Sequence, residues 1–277
     1  MTKKKKITSI VIFSVIIIAL IAGIILTHGN KSGESITEIM TDAVLHEKGK
    51  ISLFGIIEVN PGLISAFCVS GFLIMSAVII RIFAVPRFKD RPGKFQFLLE
   101  KAVGFFTSLA NENSSVKPHF IGGYIFAAGI YIFVSTLFEL FGFQAVTTAG
   151  HSISLPAPLA DINGAIAMGV LSYSVILIGG TINGGLGGMV NALKDFSLPI
   201  SMSFRLFGAL LSGALVTELV YYYALTSYVL PVIVGVMFTV LHAVIQTYVL
   251  TMLVSTFYGE SSEKKKKSKT KKQKEVL

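Results

Sequence analysis

Long apolar runs separated by shorter polar segments dominate this sequence. A helix needs about 20 mainly apolar residues to cross the hydrocarbon core of a bilayer. Such runs lie at Ile7 to Leu26, Pro61 to Val85, Phe120 to Phe143 and Gly164 to Ile182, and a longer one lies at Pro199 to Tyr258. The longer run has room for two tilted helices with a break near Ser227 to Pro231. We therefore predict an all-α polytopic membrane protein with about five to six membrane helices and a tilted C-terminal helical hairpin.

The segment from Pro92 to Lys117 has a different pattern. Lys94, Glu100 and Lys101 lie between apolar residues that recur at helical spacing. The apolar positions are Phe95, Leu98, Leu99, Val103, Phe106 and Leu109. An apolar stripe beside a charged face is typical of a helix that lies along a membrane surface. We predict an amphipathic helix here, on the cytoplasmic face.

Positive charge is concentrated at the two ends of the chain. Of the net charge of +9, Lys3 to Lys6 contribute +4 and Gly259 to Leu277 contribute +5, which leaves the body neutral. Within the body, a basic cluster between Arg81 and Lys94 follows the second apolar run. Lysine and arginine favour the cytoplasmic side of a membrane, so we predict that both ends and this cluster are cytoplasmic. Lysine tails on an apolar chain are typical of membrane topology, so we predict membrane lipid and no nucleic acid as a partner.

The same alternation predicts the sides of the loops and a division of the chain. Residues 27–60 and 144–159 are predicted to be external, and the glycine-rich segment 179–191 to be an inner loop. The first run is either a signal peptide or an uncleaved helix, and its length and the lack of a clean cleavage site favour the helix. Residues 1–60 then form an additional membrane helix with an external segment, 61–258 form the membrane body, and 259–277 form a lysine-rich cytoplasmic tail.

Arg205 is the most informative residue of the sequence. Between Phe196 and Tyr258, only Glu218 also carries a formal charge. A guanidinium near the centre of a bilayer costs about 2.5–3.5 kcal/mol on insertion scales and cannot escape by losing its proton. Arg205 either snorkels to an interface or bonds backbone carbonyls, or it meets a charge that comes and goes. The small residues that follow it, Gly208 and Ala209 among them, favour a partner helix that passes close by, and hence ion translocation.

Two carboxylates and three other polar residues are further candidates for an ion pathway. Glu218 follows Arg205 by 13 residues, well round the helix, so it is either a proton relay or a hydrated group at the outer interface. His242 and Gln246 are four residues apart on one helix face. They either form hydrogen bonds between helices or belong to the ion pathway. Asp161 and Asn163 lie where a loop enters the fourth run, and their form is that of a helix N-cap.

Signals of an enzyme are weak throughout. The glycines between Gly184 and Gly188 have no lysine partner, and the sequence shows no metal-ligand spacing and no serine–histidine–aspartate order. We therefore predict no cofactor and no metal site. The single cysteine, Cys68, lies in an apolar run and cannot form an internal disulfide.

Four motifs resemble those of subunit a of F-type ATP synthases. Residues 197–208, SLPISMSFRLFG, resemble the family signature S-x-P-[IVL]-S-L-x-x-R-L-F-G-N, which is highly specific. Residues 245–253, IQTYVLTML, resemble the later I-Q-A-[FY]-[VI]-F-x-x-L segment, and residues 91–100, RPGKFQFLLE, resemble its N-R-P-G-x-x-Q-x-x-x-E surface helix. Pro158, Asp161 and Asn163 fit the P-x-x-D-[LIV]-N element. Together the motifs extend from Arg91 to Tyr258 in the family's order.

The resemblance implies a mechanism and a set of partners. Subunit a forms two offset half-channels for protons, or for sodium, against a rotating ring of c subunits that each carry one carboxylate. Arg205 is then expected to attract the deprotonated carboxylate and to block a short circuit, and Gln246 to face it from the final helix. The expected setting is a bacterial cell membrane, with the b-subunit peripheral stalk and the rest of the complex. The chain has no catalytic site of its own and serves ATP synthesis or hydrolysis by the complex.

The sequence departs from the family pattern at two relay positions. Ala214 stands where many members have a polar or acidic residue nine positions after the arginine, and Thr239 stands where many have an ionisable residue seven before the glutamine. Glu218 and His242 are each about one helical turn away, and we expect them to substitute. Ala209 also replaces the asparagine that usually follows R-L-F-G.

Three other functions remain open at this point. A secondary transporter can use Arg205 to bind an anionic substrate, but the sequence lacks repeated halves. An intramembrane enzyme needs a catalytic pair that the sequence does not offer. A purely structural membrane anchor does not need an arginine at this position.

Overall fold

The computed structural model of the chain describes residues 14–15, 18, 22, 37, 41, 51–53, 57–113, 119–146, 150, 152–222 and 230–262. Most of the predicted first membrane helix, most of the external segment after it and the lysine tail from residue 263 fall outside these residues. The predictions made for those parts therefore stay predictions. Everything below concerns the described residues.

Helices make up most of the described residues. Six α-helices follow one another: α1 Pro61–Ile79, α2 Lys94–Asn113, α3 His119–Phe138, α4 Ile162–Lys194, α5 Ser197–Tyr222 and α6 Leu230–Ser262. A π-helical turn, Ile80–Ala84, and a 3-10 turn, Val85–Arg87, extend α1, and a 3-10 turn, Glu139–Phe141, extends α3. Among the described residues, every one of these helices except α2 is long and apolar enough to cross a membrane. The prediction of an all-α polytopic membrane protein is confirmed.

Two short hairpins lie between the helices. Strand β1 (Ile51–Leu53) pairs antiparallel with β2 (Ile57–Val59), with Ile51 opposite Val59. Strand β3 (Gln144–Val146) pairs antiparallel with β4 (Ser152–Ser154), and a 3-10 turn, Pro158–Ala160, then leads into α4. The sequence predicted only an irregular external loop at 144–159, because strands of three residues are too short to show an alternating pattern.

The core lies where α3, α4, α5 and α6 meet. It is formed by aliphatic side chains from all four helices, of which the most buried are Ile125, Ile132, Ile176, Met202, Leu206 and Val254. Gly169 of α4 lies against Ser203 of α5, and Gly179 of α4 lies against the ring of Tyr258 in α6, so a larger residue at either glycine meets a neighbouring helix. Small residues at helix contacts allow membrane helices to approach closely. The body is therefore one tightly packed helical bundle.

Helix α2 joins this bundle through its C-terminal half only. Phe106, Leu109 and Ala110 are buried, and Ser255 of α6 donates a hydrogen bond to the Ala110 carbonyl at 2.9 Å. Phe95 and Leu98 are 55% and 67% exposed. The predicted helix is present with bounds a few residues shorter, and its position on the cytoplasmic face stays a prediction.

The glycine-rich segment predicted as an inner loop is helical, so that prediction is wrong. Helix α4 continues to Lys194 and is broken at Gly185, where φ is 63° and ψ is −151°. Glycine adopts this conformation without the strain that other residues incur. The Tyr173 hydroxyl donates to the Ala192 carbonyl at 3.0 Å, whereas 19 residues of straight helix span about 28 Å. Residues 186–194 therefore fold back against the first part of α4.

Candidate functional site

Helix α5 has one buried face and one exposed face, and Arg205 lies on the exposed face. Leu198, Met202, Leu206 and Leu210 recur every four residues and are buried in the core. The residues at helical spacing on the other side are exposed, namely Ser201, Arg205, Gly208 and Ser212. We call these four residues the Arg205 stripe. A Cβ built at Gly208 meets nothing within 4 Å, so the surface beside Arg205 is open.

Arg205 has no counter-charge among the described residues. None of their carboxylates lies within 4.0 Å of its guanidinium, and none of their polar groups forms a hydrogen bond with it. An arginine in a membrane-spanning segment is normally paired or bonded to polar groups, because leaving it unpaired is costly. The arrangement therefore leaves room for an acidic group that another chain supplies.

Helix α6 packs beside α5 and carries Gln246 and His242. Because residues 223–229 join these two packed helices, they run antiparallel. A Cβ atom built at Gly213 would lie 3.9 Å from His242 Nδ1. Gly213 and His242 therefore face each other and define the register of the two helices. An antiparallel register continued from this contact relates residue 246 of α6 to residue 209 of α5, one helical turn (about 5.4 Å) from Arg205. The register therefore predicts that Gln246 and Arg205 lie on neighbouring turns of one helix pair.

Gln246 is buried but incompletely bonded. Its side chain is 6% exposed, and among the described residues its Oε1 atom has no hydrogen-bond partner. Buried amide oxygens are almost always bonded, because an unpaired one costs about 1–3 kcal/mol. The ring of His242 is half-buried and lies 5.7 Å from the ring of Phe238, centroid to centroid. Gln246 thus has an unused acceptor, whereas His242 packs against an aromatic ring and a glycine.

Glu218, near the end of α5, has a second carboxylate as a neighbour. Its carboxylate and that of Glu139, in the 3-10 turn that ends α3, are close enough to interact through their charges. Glu218 is exposed and Glu139 is half-buried, and the turn that carries Glu139 also contacts α6. Among the described residues, Glu218 forms no ion pair or hydrogen bond with His242. The acidic pair is therefore a unit separate from the histidine.

Comparison with known proteins agrees with this arrangement. Residues 67–259, which include Arg205, Glu139, Glu218 and Gln246, match the family described as ATP synthase A chain. The chain belongs to the ATP synthase A chain family. Membership in this family, subunit a of F-type ATP synthases, decides against the secondary transporter, the intramembrane enzyme and the plain anchor.

Relatives of the chain come from a bacterium and from a chloroplast. ATP synthase subunit a of Histophilus somni (strain 129Pt) is 26% identical over 192 residues, which cover 60% of this chain and 72% of that protein. The chloroplastic ATP synthase subunit a of Stigeoclonium helveticum is 27% identical over 211 residues, which cover 70% of this chain and 82% of that protein. This similarity supports the membrane-sector role in ion conduction that defines the A chain family.

The aspartate and asparagine of the A chain motif at the start of α4 form a helix cap. Asp161 is the N-cap residue, and its Oδ1 atom accepts from the Asn163 backbone N–H at 3.1 Å and from Asn163 Nδ2 at 3.3 Å. The start of α1 packs against this cap, because a Cβ atom built at Gly62 would lie only 2.8 Å from Asp161 Cβ. The cap interpretation is confirmed, and an ion-pathway role for Asp161 and Asn163 stays a prediction.

Sequence analysis predicts no role for Glu139, which the structure adds as a candidate. It is an acidic residue at the end of an apolar run, and that position was the signal available. Its partner Glu218 lies two helices later in the described chain, so no local pattern relates them. Both α3 and α5 pack against α6, and that shared neighbour relates the ends of the two helices.

Proposed function

We propose that this chain conducts protons through two half-channels to and from carboxylates on a ring of c subunits, in the ATP synthase of a bacterial cell membrane. The observation that carries this proposal is that Arg205, on an exposed, small-residue stripe of a membrane helix, has no counter-charge among the residues that the structure describes. A carboxylate on each passing c subunit is a mobile counter-charge of the kind that this position lacks. The b-subunit stalk and the other subunits are the further partners implied.

The Arg205 stripe supports a sliding contact with the ring. Ser201, Gly208 and Ser212 have small side chains, so a helix of another subunit can approach the α5 backbone. Arg205 keeps its charge at all pH values that cells encounter. It therefore favours the deprotonated form of a passing carboxylate and repels protons that attempt to pass directly between the half-channels. The unbonded Oε1 of Gln246 supports a role for this residue as a hydrogen-bond acceptor for a protonated carboxyl group of the ring.

The acidic pair supports one of the half-channels. Two carboxylates that lie near each other repel, so sharing one proton lowers their energy. Glu139 and Glu218 are at the ends of their membrane spans, where water can reach them, and we assign them to the outer half-channel. The pair takes the place of the relay residue that the family has at the position of Ala214.

Cross-linking tests the proposed contact with the ring directly. In the assembled complex with Cys68 replaced by serine, Ser212→Cys is expected to cross-link to a c subunit under mild oxidation when the ring carries a facing cysteine. The matched control is Ile178→Cys, which is exposed on α4 and not on the stripe. Equal cross-linking from both positions, or none from Ser212→Cys in an assembled complex, contradicts the proposal.

A further inference from the structure

A cavity of about 590 Å³ lies where the first described membrane span ends and helix α2 begins. Ile79, Ile80 and Phe83 form its apolar side. Its charged side is formed by the four cations Arg87, Lys89, Arg91 and Lys94. An apolar wall that meets a cationic rim at the end of a membrane span matches the two halves of a phospholipid.

The four cations are not neutralised within the described part of the chain. All four side chains are exposed, and none forms an ion pair with a described carboxylate. Cations gathered in this way repel one another, and an anion among them relieves that repulsion. Arginine binds phosphate through two parallel hydrogen bonds, and lysine binds it as a point charge. The rim is therefore suited to a phosphate group.

The loop that presents these cations has a shape that does not depend on their charge. The Gln96 side chain accepts from the Lys89 backbone N–H at 3.0 Å and donates to the Lys89 carbonyl at 2.9 Å. Its amide nitrogen also donates to Glu100 Oε1 at 2.7 Å. Gln96 thus fastens the loop to the first turns of α2. Replacing the cations removes their charge and leaves this clamp in place.

The apolar wall decides which phosphate compound fits. Ile79 and Phe83 are 51% and 56% exposed, on a helix that is long and apolar enough to cross the membrane. A free phosphate ion gains nothing from such a wall, whereas an acyl chain buries it. We propose that this cavity binds an anionic phospholipid, with its head group on the cationic rim and one acyl chain along Ile79, Ile80 and Phe83. This binding site does not depend on the ion pathway.

Native mass spectrometry of the full-length chain tests the proposal. The detergent-solubilised protein is titrated with phosphatidylglycerol and, separately, with phosphatidylcholine, and bound lipid is counted. The triple variant Arg87→Gln, Arg91→Gln, Lys94→Gln is expected to lose affinity for phosphatidylglycerol by about 100-fold and to keep its affinity for phosphatidylcholine. The matched control is Arg81→Gln, which removes a nearby cation that does not line the cavity, and it is expected to change affinity less than about threefold.

Two further arms separate a lipid site from other anion sites. Phe83→Ser removes part of the exposed apolar wall and is expected to weaken phosphatidylglycerol binding while leaving the weak affinity for inorganic phosphate unchanged. Inorganic phosphate that displaces the lipid at equal concentration indicates a free-anion site and overturns the proposal. Equal losses in the triple variant and in Arg81→Gln indicate general surface attraction and also overturn it. If the lipid is absent from the assembled complex, another subunit covers the cavity, and this result also overturns the proposal.

Discussion

The carboxylates of Glu139 and Glu218 interact through their charges although they belong to different helices. Glu139 ends α3, and Glu218 lies near the end of α5. Two carboxylates whose charges repel each other are lower in energy when one of them carries a proton. We propose that this pair is the proton relay of the outer half-channel. Removing either carboxylate then slows proton flux.

Glu139→Gln and Glu218→Gln are each expected to slow proton flux by roughly tenfold or more, within the range that general acid–base groups contribute. If the two groups act as one relay that shares a proton, the double variant is expected to be no slower than the slower single variant. The measurement is passive proton flux in vesicles that contain the membrane sector. Glu112→Gln, at an exposed position on α2, is the control and is expected to leave flux unchanged. Additive losses in the double variant mean that the two residues act separately.

A variant of Gln246 separates an effect on the thermal stability of the chain from an effect on ATP-driven proton pumping. Gln246→Leu replaces a buried amide whose Oε1 is unbonded within the described residues, so we expect the thermal stability of the purified chain to be unchanged or higher. ATP-driven proton pumping is expected to fall, because the ring's carboxyl group loses its hydrogen-bond partner. Thr247→Val, which removes the hydrogen bond to the Gly129 carbonyl, serves as a neighbouring control. Full pumping in Gln246→Leu returns Gln246 to a packing role.

Two variants of Asp161 distinguish a role as helix cap from a role as proton relay. Asp161→Ala is expected to destabilise the chain by about 0.5–2 kcal/mol, because the first turn of α4 loses its acceptor. Asp161→Asn keeps an acceptor oxygen and removes the charge, so stability and proton flux are both expected to stay near wild type. Thermal unfolding and vesicle flux are measured on the same preparations. Lost flux in a stable Asp161→Asn variant restores the ion-pathway role.

Gly185 sets the fold-back of α4. Gly185→Ala places a side chain at a φ of 63° and is expected to cost about 1–3 kcal/mol, although a Cβ there meets nothing within 4 Å. Gly187→Ala is the matched control, because its Cβ is equally free of contacts and its backbone is helical. The midpoint of thermal unfolding in detergent is expected to fall for Gly185→Ala and to stay or rise for Gly187→Ala. Equal midpoints show that α4 tolerates the break without glycine.

The sequence predicted the parts of this fold that depend on hydropathy. The described spans, the helix that begins at Lys94 and the two C-terminal helices follow from the length and period of apolar runs, and apart from the end of α4 the helix bounds differ by a few residues. Glycine composition misled the prediction between Gly179 and Asn191, because glycines that allow close helix contact look like a loop in sequence. The Asp161 cap followed from local chemistry. The Glu139–Glu218 pair and the Gly213–His242 contact depend on packing between helices, which local patterns do not encode.

Arg205 carries the central claim, and its test is ATP-driven proton pumping by the reconstituted complex. We predict that Arg205→Ala assembles with the ring but does not pump, and that passive proton leak through its membrane sector rises. Arg205→Lys is expected to keep part of the block to leak, because it keeps a charge that lacks the planar geometry of arginine. Pumping at the wild-type rate by an assembled Arg205→Ala complex contradicts the account.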